Sequence, residues 1–152
     1  MKIFFVLLAG VLSTITTYSQ SESVRAKHYN VKKGVALEEY DPVSFFDGKP
    51  LEGDEDFKFT YKGLTYYFAN KKNLDRFKLL PEKYEPQYGG WCAYAMGSSG
   101  EKVKIDPETF KIIDGKLYLF YNFWGNNTLD DWNKEEKKLK EAGDKNWKHI
   151  IQ

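Results

Sequence analysis

The sequence of 152 residues is poor in the residues from which disulfide frameworks and metal modules are built, since it has one cysteine and two histidines. A single cysteine excludes an intramolecular disulfide, a zinc module rich in cysteine and the covalent attachment of c-type haem. The two histidines, His28 and His149, stand near opposite ends of the chain. The sequence therefore offers few nitrogen and sulfur ligands for a metal ion.

A surplus of charge of either sign is also absent, because 23 Lys and Arg residues face 22 Asp and Glu residues. Loss of residues 1–19, predicted below as a signal peptide, would remove Lys2 and no acid, so the remaining side-chain charges would sum to zero. Binding to phosphate backbones requires a basic surface, so nucleic acid is not expected as a partner. An anionic membrane surface is not expected as a partner for the same reason.

The common catalytic motifs are missing as well. The sequence has no Gly-x-Ser-x-Gly elbow, no phosphate-binding Gly-Lys-Ser/Thr loop, no His-Glu-x-x-His helix and no Gly-x-Gly-x-x-Gly turn. Paired acids could catalyse a reaction if two of them faced one cleft, but 22 acids give no basis for choosing a pair. A binding role is therefore favoured over an enzymatic one.

A long hydrophobic run is absent too, because the apolar stretch from Ile3 to Leu12 has ten residues and a membrane span needs about 20. The run follows Lys2 and precedes a small, polar stretch, which is the layout of a secretory signal peptide. We predict a signal peptide at residues 1–19 and export to the periplasm or beyond, with no membrane attachment after cleavage. A retained membrane anchor is the alternative.

The remaining chain has the composition of one folded domain. Residues 20–33 are polar without a clear period and are predicted to be a flexible lead-in, which leaves a single domain at residues 34–152. Aromatic residues make up 17% of the sequence, so a small core can still bury a large apolar area.

Two β-hairpins and two or three helices are indicated by local patterns. Hairpins are predicted at residues 57–69, with a turn at Lys62-Gly63, and at residues 109–121, with a turn at Asp114-Gly115. The fold class is therefore α+β, a small domain in which hairpins or a short antiparallel sheet pack against the helices.

The helices have expected beginnings and ends. Asn70 is expected to cap a helix whose apolar face is formed by Leu74, Phe77 and Leu80 and which ends before Pro81. Thr128 is expected to cap a last helix that ends at Gly143. The last helix should bury Trp132 and Leu139, and Trp147, Ile150 and Ile151 should pack a short tail on the core.

The densest unusual motif is YGGWCAYAM, from Tyr88 to Met96. Cys92 and Met96 are four residues apart and would share a face of a helix, and their sulfur atoms are soft ligands that suit Cu(I). We therefore predict a metal site at Cys92 and Met96. The predicted ligand-lining residues are Tyr88, Gly89, Gly90 and Trp91.

Three functions fit this motif. The first is an exported, non-catalytic binding module that holds a soft metal ion such as copper, or a small ligand, near Cys92. The alternative is a structural or protein-interaction domain in which Cys92 is buried and inert. The third is a thiol-dependent enzyme, which would need a nearby cation or a helix N-terminus to lower the pKa of the Cys92 thiol. The sequence does not define an oligomeric state.

Five blocks of sequence stand in an order that is typical of one family. They are VALEEYDPVSFF from Val35, YKGLTYYFAN from Tyr61, NLDRF from Asn73, PEKY from Pro81 and YGGWCAYA from Tyr88. Together with later blocks that end at Trp147, they resemble the exported YHS-domain proteins of bacteria over about residues 35–147. The resemblance implies that residues 34–152 form a YHS-like domain.

The resemblance also implies a difference in metal chemistry. YHS domains are similar to metal-binding TRASH-type modules, whose cysteines follow Asp-Pro-Val and the aromatic run of a strand. The matching positions in this sequence are Ser44, Ala69 and Asn73, and none of them is a cysteine. The metal–thiolate site of those modules is therefore not expected here, and Cys92 remains the candidate.

Overall fold

The computed structural model describes residues 22–152. The helices are α1 at residues 22–28, α2 (Lys71–Leu79), α3 (Pro81–Tyr84), α4 (Ala93–Ser98), α5 (Thr128–Lys134) and α6 (Glu136–Ile150). The strands are β1 (Val31–Lys32), β2 (Val35–Ala36), β3 (Asp54–Tyr61), β4 (Leu64–Phe68), β5 (Asp106–Ile113), β6 (Lys116–Phe120), β7 (Asn122–Phe123) and β8 (Asn126–Asn127). Short 3-10 turns occur at Leu37–Glu39, Ser44–Asp47 and Gln87–Gly90. This combination confirms the predicted α+β class; the predicted signal peptide lies outside the described residues.

The first predicted hairpin is confirmed as β3 and β4, and it forms part of a mixed sheet with strand order β1-β2-β4-β3. β2 and β4 run parallel, whereas the outer pairs are antiparallel. Along β4 the side chains of Leu64, Tyr66 and Phe68 are buried, as a period of two predicts for a half-buried strand. The turn residues Lys62 and Gly63 both have positive φ, as a two-residue hairpin turn requires.

The second predicted hairpin is confirmed as β5 and β6, which pair separately from the mixed sheet. β6 is buried along most of its length, and isolated bridges join Leu117 to Pro86 and Leu119 to Cys92. β7 and β8 form a short additional hairpin directly after β6. The two bridges hold the chain against β6 at Cys92, within the YGGWCAYAM segment, and at Pro86, just before it.

Helix α2 confirms the predicted cap and the predicted end, but not the whole predicted apolar face. The Asn70 side chain accepts a hydrogen bond from the backbone N–H of Asn73 at 3.0 Å, and Phe77 is fully buried. Leu80, however, is 59% exposed, so its predicted place on the buried face is wrong. Pro81 disfavours helical backbone at the preceding residue, and Leu80 has left the helix with φ −143° and ψ 62°.

The C-terminal helices differ from prediction in their cap. Asn127 caps α5 by accepting a hydrogen bond from the N–H of Leu129 at 3.1 Å. The Thr128 hydroxyl instead donates to the carbonyl oxygen of Tyr121 at 2.9 Å, so the predicted Thr128 cap is wrong. This hydrogen bond fastens the start of α5 to Tyr121, the residue directly after β6.

Gly143 does not end the last helix, because α6 continues to Ile150. A Cβ atom at Gly143 would lie 2.8 Å from the Tyr88 hydroxyl oxygen, which is closer than a Cβ atom normally approaches a non-bonded oxygen. The glycine is therefore used for close packing of Tyr88 against α6. Trp147 and Ile150 pack on the core as predicted, whereas Ile151 is exposed.

The core has two parts in the described chain. The first lies between the mixed sheet and the β5–β6 hairpin, with the Phe77 ring in contact with several aromatic rings. The second lies among α4, α6 and β6 around the buried Trp132 ring. Cys92 packs in the first part, and Tyr88 and Met96 pack in the second.

Residues 20–33 were predicted to be a flexible lead-in, and the part of them that the structure describes contains a helix and a strand. Residues 22–28 form α1, and Val31–Lys32 form β1 at the edge of the mixed sheet. Arg25 of α1 forms an ion pair with Glu85, and its Nε donates to the carbonyl oxygen of Lys62 at 3.1 Å. Because α1 is held by polar contacts to distant residues, its sequence shows no hydrophobic periodicity.

No helix among residues 22–152 is long and apolar enough to cross a bilayer.

Candidate functional site

The predicted ligand-lining residues lie on the 3-10 turn Gln87–Gly90 and directly after it. Tyr88, Gly89 and Gly90 have positive φ in succession, so the backbone coils tightly here. A Cβ atom at Gly89 would lie 2.7 Å from the Trp147 ring and 3.0 Å from the Tyr29 ring. Only glycine allows both rings to approach this backbone.

Backbone hydrogen bonds hold this turn in place. The N–H of Asn30 donates to the carbonyl oxygen of Gly89 at 2.8 Å, and the Asn30 side chain donates to that of Gly90 at 3.2 Å. The Trp91 indole N–H donates to the carbonyl oxygen of His28 at 2.7 Å. The turn is thus tied to the segment between α1 and β1.

Tyr88 projects from the turn towards α6. Its side chain is buried, and its hydroxyl donates to Asp144 Oδ1 at 3.0 Å. Burial raises the pKa of the Tyr88 hydroxyl, and the Asp144 carboxylate raises it further. The hydroxyl therefore remains protonated at neutral pH and acts as a hydrogen-bond donor.

A cleft of about 260 Å³ opens beside Tyr88. It lies where Tyr29, the residue directly after α1, meets the 3-10 turn and α6. Its lining residues are Tyr29, Glu82, Glu85, Pro86, Gln87, Tyr88, Asp144, Trp147, Lys148 and Ile151. The Tyr29 and Trp147 rings meet edge to face, with centroids 5.5 Å apart and an interplanar angle of 67°. The cleft therefore combines two aromatic walls with several carboxylates.

Glu85 forms the polar end of the cleft through a network with α1. Its Oε1 accepts hydrogen bonds from the Arg25 guanidinium and from the Tyr66 hydroxyl, the second at 2.6 Å. Arg25 also donates to the Tyr29 hydroxyl at 2.7 Å and lies over the Tyr29 ring. Burial and the neighbouring Glu85 charge raise the pKa of Tyr66, which stays protonated as a donor. The network fixes Tyr29 as one wall of the cleft.

Cys92 and Met96 are both fully buried, in different parts of the core. Cys92 is the residue before α4, and its carbonyl oxygen accepts a hydrogen bond from the N–H of Met96 at 3.0 Å. The Cys92 sulfur accepts a hydrogen bond from the N–H of Tyr121 at 3.4 Å and lies 3.5 Å from the Thr128 hydroxyl. The sulfur is therefore engaged in joining α4 to the β6–α5 junction.

Metal ligands are not gathered around either sulfur atom. Among residues 22–152, no three His, Cys, Asp or Glu side chains are grouped so that they could hold a metal ion. His28 Nδ1 lies 2.9 Å from the Lys102 ammonium, and His149 is exposed. The predicted metal site at Cys92 and Met96 stays a prediction, with a donor set that is poor for the purpose.

The three positions that the resemblance aligned with cysteines lie together around Asp41. The Asp41 carboxylate is fully buried, and its Oδ2 accepts hydrogen bonds from the N–H of Ala69 at 2.9 Å and from the Asn73 side chain at 2.7 Å. The Ser44 hydroxyl donates to the carbonyl oxygen of Asp41 at 2.7 Å. Hydrogen bonds to one buried aspartate thus connect these three positions, none of which carries a cysteine.

Of the four predicted ligand-lining residues, Tyr88 lines the cleft, whereas Gly89, Gly90 and Trp91 are not among its lining residues. The sequence did not indicate the other walls. Arg25 and Glu85 are 60 residues apart, and Tyr29 and Trp147 are farther apart still. No local spacing connects such residues.

Comparison with known families and proteins gives one match. Residues 42–88 match the family model of the YHS domain, which is about a third of the chain. No match was found among curated proteins or among solved structures. The matched segment begins at the turn held by Asp41 and ends at Tyr88 on the edge of the cleft. Over residues 42–88, the YHS segment, the chain therefore resembles the YHS domain.

Proposed function

We propose that the protein is an exported, non-catalytic binding module that takes a small ligand in the cleft beside Tyr88. The observation that carries this proposal is the convergence of Tyr29, the 3-10 turn and α6 on one cleft with fixed aromatic walls. Protein sites for small molecules are concave and mostly apolar, with a few placed polar groups. The volume of about 260 Å³ is near the lower end for such sites, so the ligand is small.

A binding role is favoured because the groups at the cleft are arranged as fixed donors and acceptors. The Tyr88 hydroxyl is held protonated, and Glu85 is held by Arg25 and Tyr66. The Cys92 thiol is fully buried and hydrogen-bonded, whereas nucleophilic cysteines lie in accessible, electropositive surroundings. Export rests on the signal peptide predicted from residues 1–19.

A copper ion at Cys92 and Met96 is the competing proposal. A metal there would have to displace the hydrogen bond from Tyr121 to the Cys92 sulfur and to recruit ligands that are not grouped nearby in the described chain. The donor set therefore fits a packed cysteine better than a soft-metal site. This agrees with the alternative in which Cys92 stabilises the fold and takes no part in binding.

The cleft is tested by a ligand-observed NMR screen of the full chain against small amines, carboxylic acids, alcohols and sugars. We expect at least one class to bind, and we expect Trp147→Leu to weaken that binding because it removes one aromatic wall. Trp124→Leu is the matched control, because Trp124 is 88% exposed outside the cleft. Ile151→Trp, which narrows the cleft at an exposed residue, provides a second variant if Trp147→Leu does not fold.

Two outcomes would contradict the proposal. Absence of binding by any class, or binding that both tryptophan variants weaken equally, would remove the cleft as the site. Stoichiometric copper in the purified protein, lost in Cys92→Ser, would favour the metal site over the proposed cleft.

Alkylation of Cys92 in the folded protein is expected to be slow, and its rate should rise only when denaturant unfolds the chain.

A further inference from the structure

We infer that the ligand of the cleft beside Tyr88 is a small organic cation, an amine or a quaternary ammonium compound. This inference rests on the proposed function and adds the chemical class of the ligand. It follows from the aromatic walls, from the sign of the charges at the cleft and from the pairing of each charge.

The aromatic walls suit a cation. The faces of tryptophan and tyrosine rings are negative in potential and attract ammonium groups at distances of up to about 6 Å. Tyr29 and Trp147 meet at 67°, so they form a corner rather than a flat stack. Arg25 already lies over one face of the Tyr29 ring, with its guanidinium carbon 4.3 Å from the ring centroid, so Trp147 is the wall that remains for a ligand cation.

The charges at the cleft favour a positive ligand. Three carboxylates line it, those of Glu82, Glu85 and Asp144, against one ammonium, that of Lys148. Glu82 pairs with Lys62 at 2.8 Å, and Glu85 pairs with Arg25. Asp144 accepts a hydrogen bond from the Tyr88 hydroxyl and has no ion-pair partner in the described part of the chain.

Asp144 is therefore the carboxylate that can pair with a bound cation. It lies on α6 one turn before Trp147, so its charge and the indole ring are presented by the same helix. Lys148 is exposed next to Trp147 and weakens the negative potential without forming an ion pair with Asp144. An anionic ligand would face the unpaired Asp144 carboxylate, and no guanidinium lines the cleft.

The test compares choline with 3,3-dimethylbutan-1-ol, a neutral molecule of the same shape. Both are titrated into the full chain at low ionic strength, and binding is followed by NMR shifts of the tryptophan indole N–H groups. We expect choline to bind about tenfold more tightly than the alcohol. Asp144→Asn should weaken choline roughly three- to fivefold and leave the alcohol unchanged.

The aromatic wall is tested separately. Trp147→Leu should weaken choline by about tenfold, whereas Trp124→Leu should have no effect. If Trp147→Leu unfolds, Ile151→Lys provides a second variant, because an added ammonium at the exposed edge of the cleft should weaken choline and leave the neutral alcohol unchanged.

The outcomes separate the two levels of the proposal. Equal binding of choline and the alcohol, both weakened by Trp147→Leu, would overturn the cationic ligand and leave the cleft as a binding site. Choline binding that neither Asp144→Asn nor the cleft variants alter would overturn the cationic ligand at this site. Absence of binding by both probes and by the whole screen would overturn the proposed function as well.

Discussion

Replacing Asp41 by asparagine tests whether hydrogen bonds to this buried carboxylate fasten the YHS segment together. Oδ1 accepts from the N–H of Val43 at 2.8 Å, while Oδ2 accepts from the N–H of Ala69 and from the Asn73 side chain. The three donors come from the turn after Asp41, from the residue after β4 and from α2. The carboxylate therefore connects three elements at one point.

The expected cost follows from the number of acceptor atoms. Asparagine keeps the shape of aspartate but replaces one oxygen by an NH₂ group, which cannot accept a hydrogen bond. In the better of its two orientations the amide oxygen serves two of the three donors, so one buried donor is left unpaired. An unpaired buried donor costs about 1–3 kcal/mol, and loss of the charge weakens the other two bonds by about 1 kcal/mol each. We expect the free energy of unfolding to fall by about 3–5 kcal/mol.

The measurement is urea denaturation of the full chain, followed by tryptophan fluorescence. The matched control is Asp47→Asn, because Asp47 is an exposed aspartate of the same segment that pairs with Arg76 at 2.7 Å. An exposed ion pair contributes about 0–1 kcal/mol, so this control should lose little stability. Equal losses in the two variants would refute the reasoning. Asn73→Ala should also reduce the effect of Asp41→Asn, because it removes one of the donors.

Three further predictions concern packing, a turn and pH. Gly97→Ala should lower the free energy of unfolding in urea by roughly 2–3 kcal/mol, because the new Cβ would lie 2.4 Å from the carbonyl oxygen of Leu139; a gain, as helix propensity alone predicts, would contradict this contact. Trp124→Asn should raise the midpoint of thermal unfolding by stabilising the chain by about 1 kcal/mol, because Trp124 has φ 53° in a hairpin turn that favours Asn-Gly; a lower midpoint would show that its ring contacts outweigh this strain. Burial raises the pKa of Tyr118 to about 12, so the unfolded chain ionises first and the free energy of unfolding should fall as pH rises from about 10 to 12. Unfolding titrations at pH 9, 10 and 11 should show a smaller fall for Tyr118→Phe, and an identical fall would remove Tyr118 as its cause.

The elements that the sequence predicted correctly are those decided by neighbouring residues. Both hairpins follow from alternating side chains around a two-residue turn, and the Asn70 cap follows from a side chain that reaches the N–H of Asn73 three residues later. Contacts of this kind depend on the local chain alone. Sequence patterns report them because few distant residues can change them.

The errors occur where a distant residue decides the role of a local one. Gly143 has the sequence context of a helix end, but the Tyr88 ring packed against it makes it a contact residue inside α6. The Thr128 hydroxyl has the chemistry of a cap, but the carbonyl oxygen of Tyr121 takes its hydrogen bond. The partners of these residues become known only when the chain is folded.

The candidate site shows the same division. The YGGWCAYAM motif contains the turn that borders the cleft, and the Trp147 and Tyr29 rings approach the backbone of this turn closely at Gly89. The motif does not indicate that Tyr88 faces a cleft while Cys92 packs in the core. That separation arises because the backbone coils at Tyr88, Gly89 and Gly90, which all have positive φ. The sequence does not reveal this coil, because Tyr88 is not a glycine and gives no sign of its positive φ.

The position of the YHS match bears on how far a ligand can be transferred between proteins that share it. The match ends at Tyr88, so the segment supplies Glu82, Glu85 and Tyr88 to the cleft. Tyr29, Asp144 and Trp147, which give the cleft its aromatic corner and its unpaired carboxylate, lie outside the match. If the cationic ligand is correct, its recognition depends on residues that the YHS match does not include. Proteins that share the YHS segment are then expected to bind the same ligand only where the positions of Tyr29, Asp144 and Trp147 carry equivalent side chains.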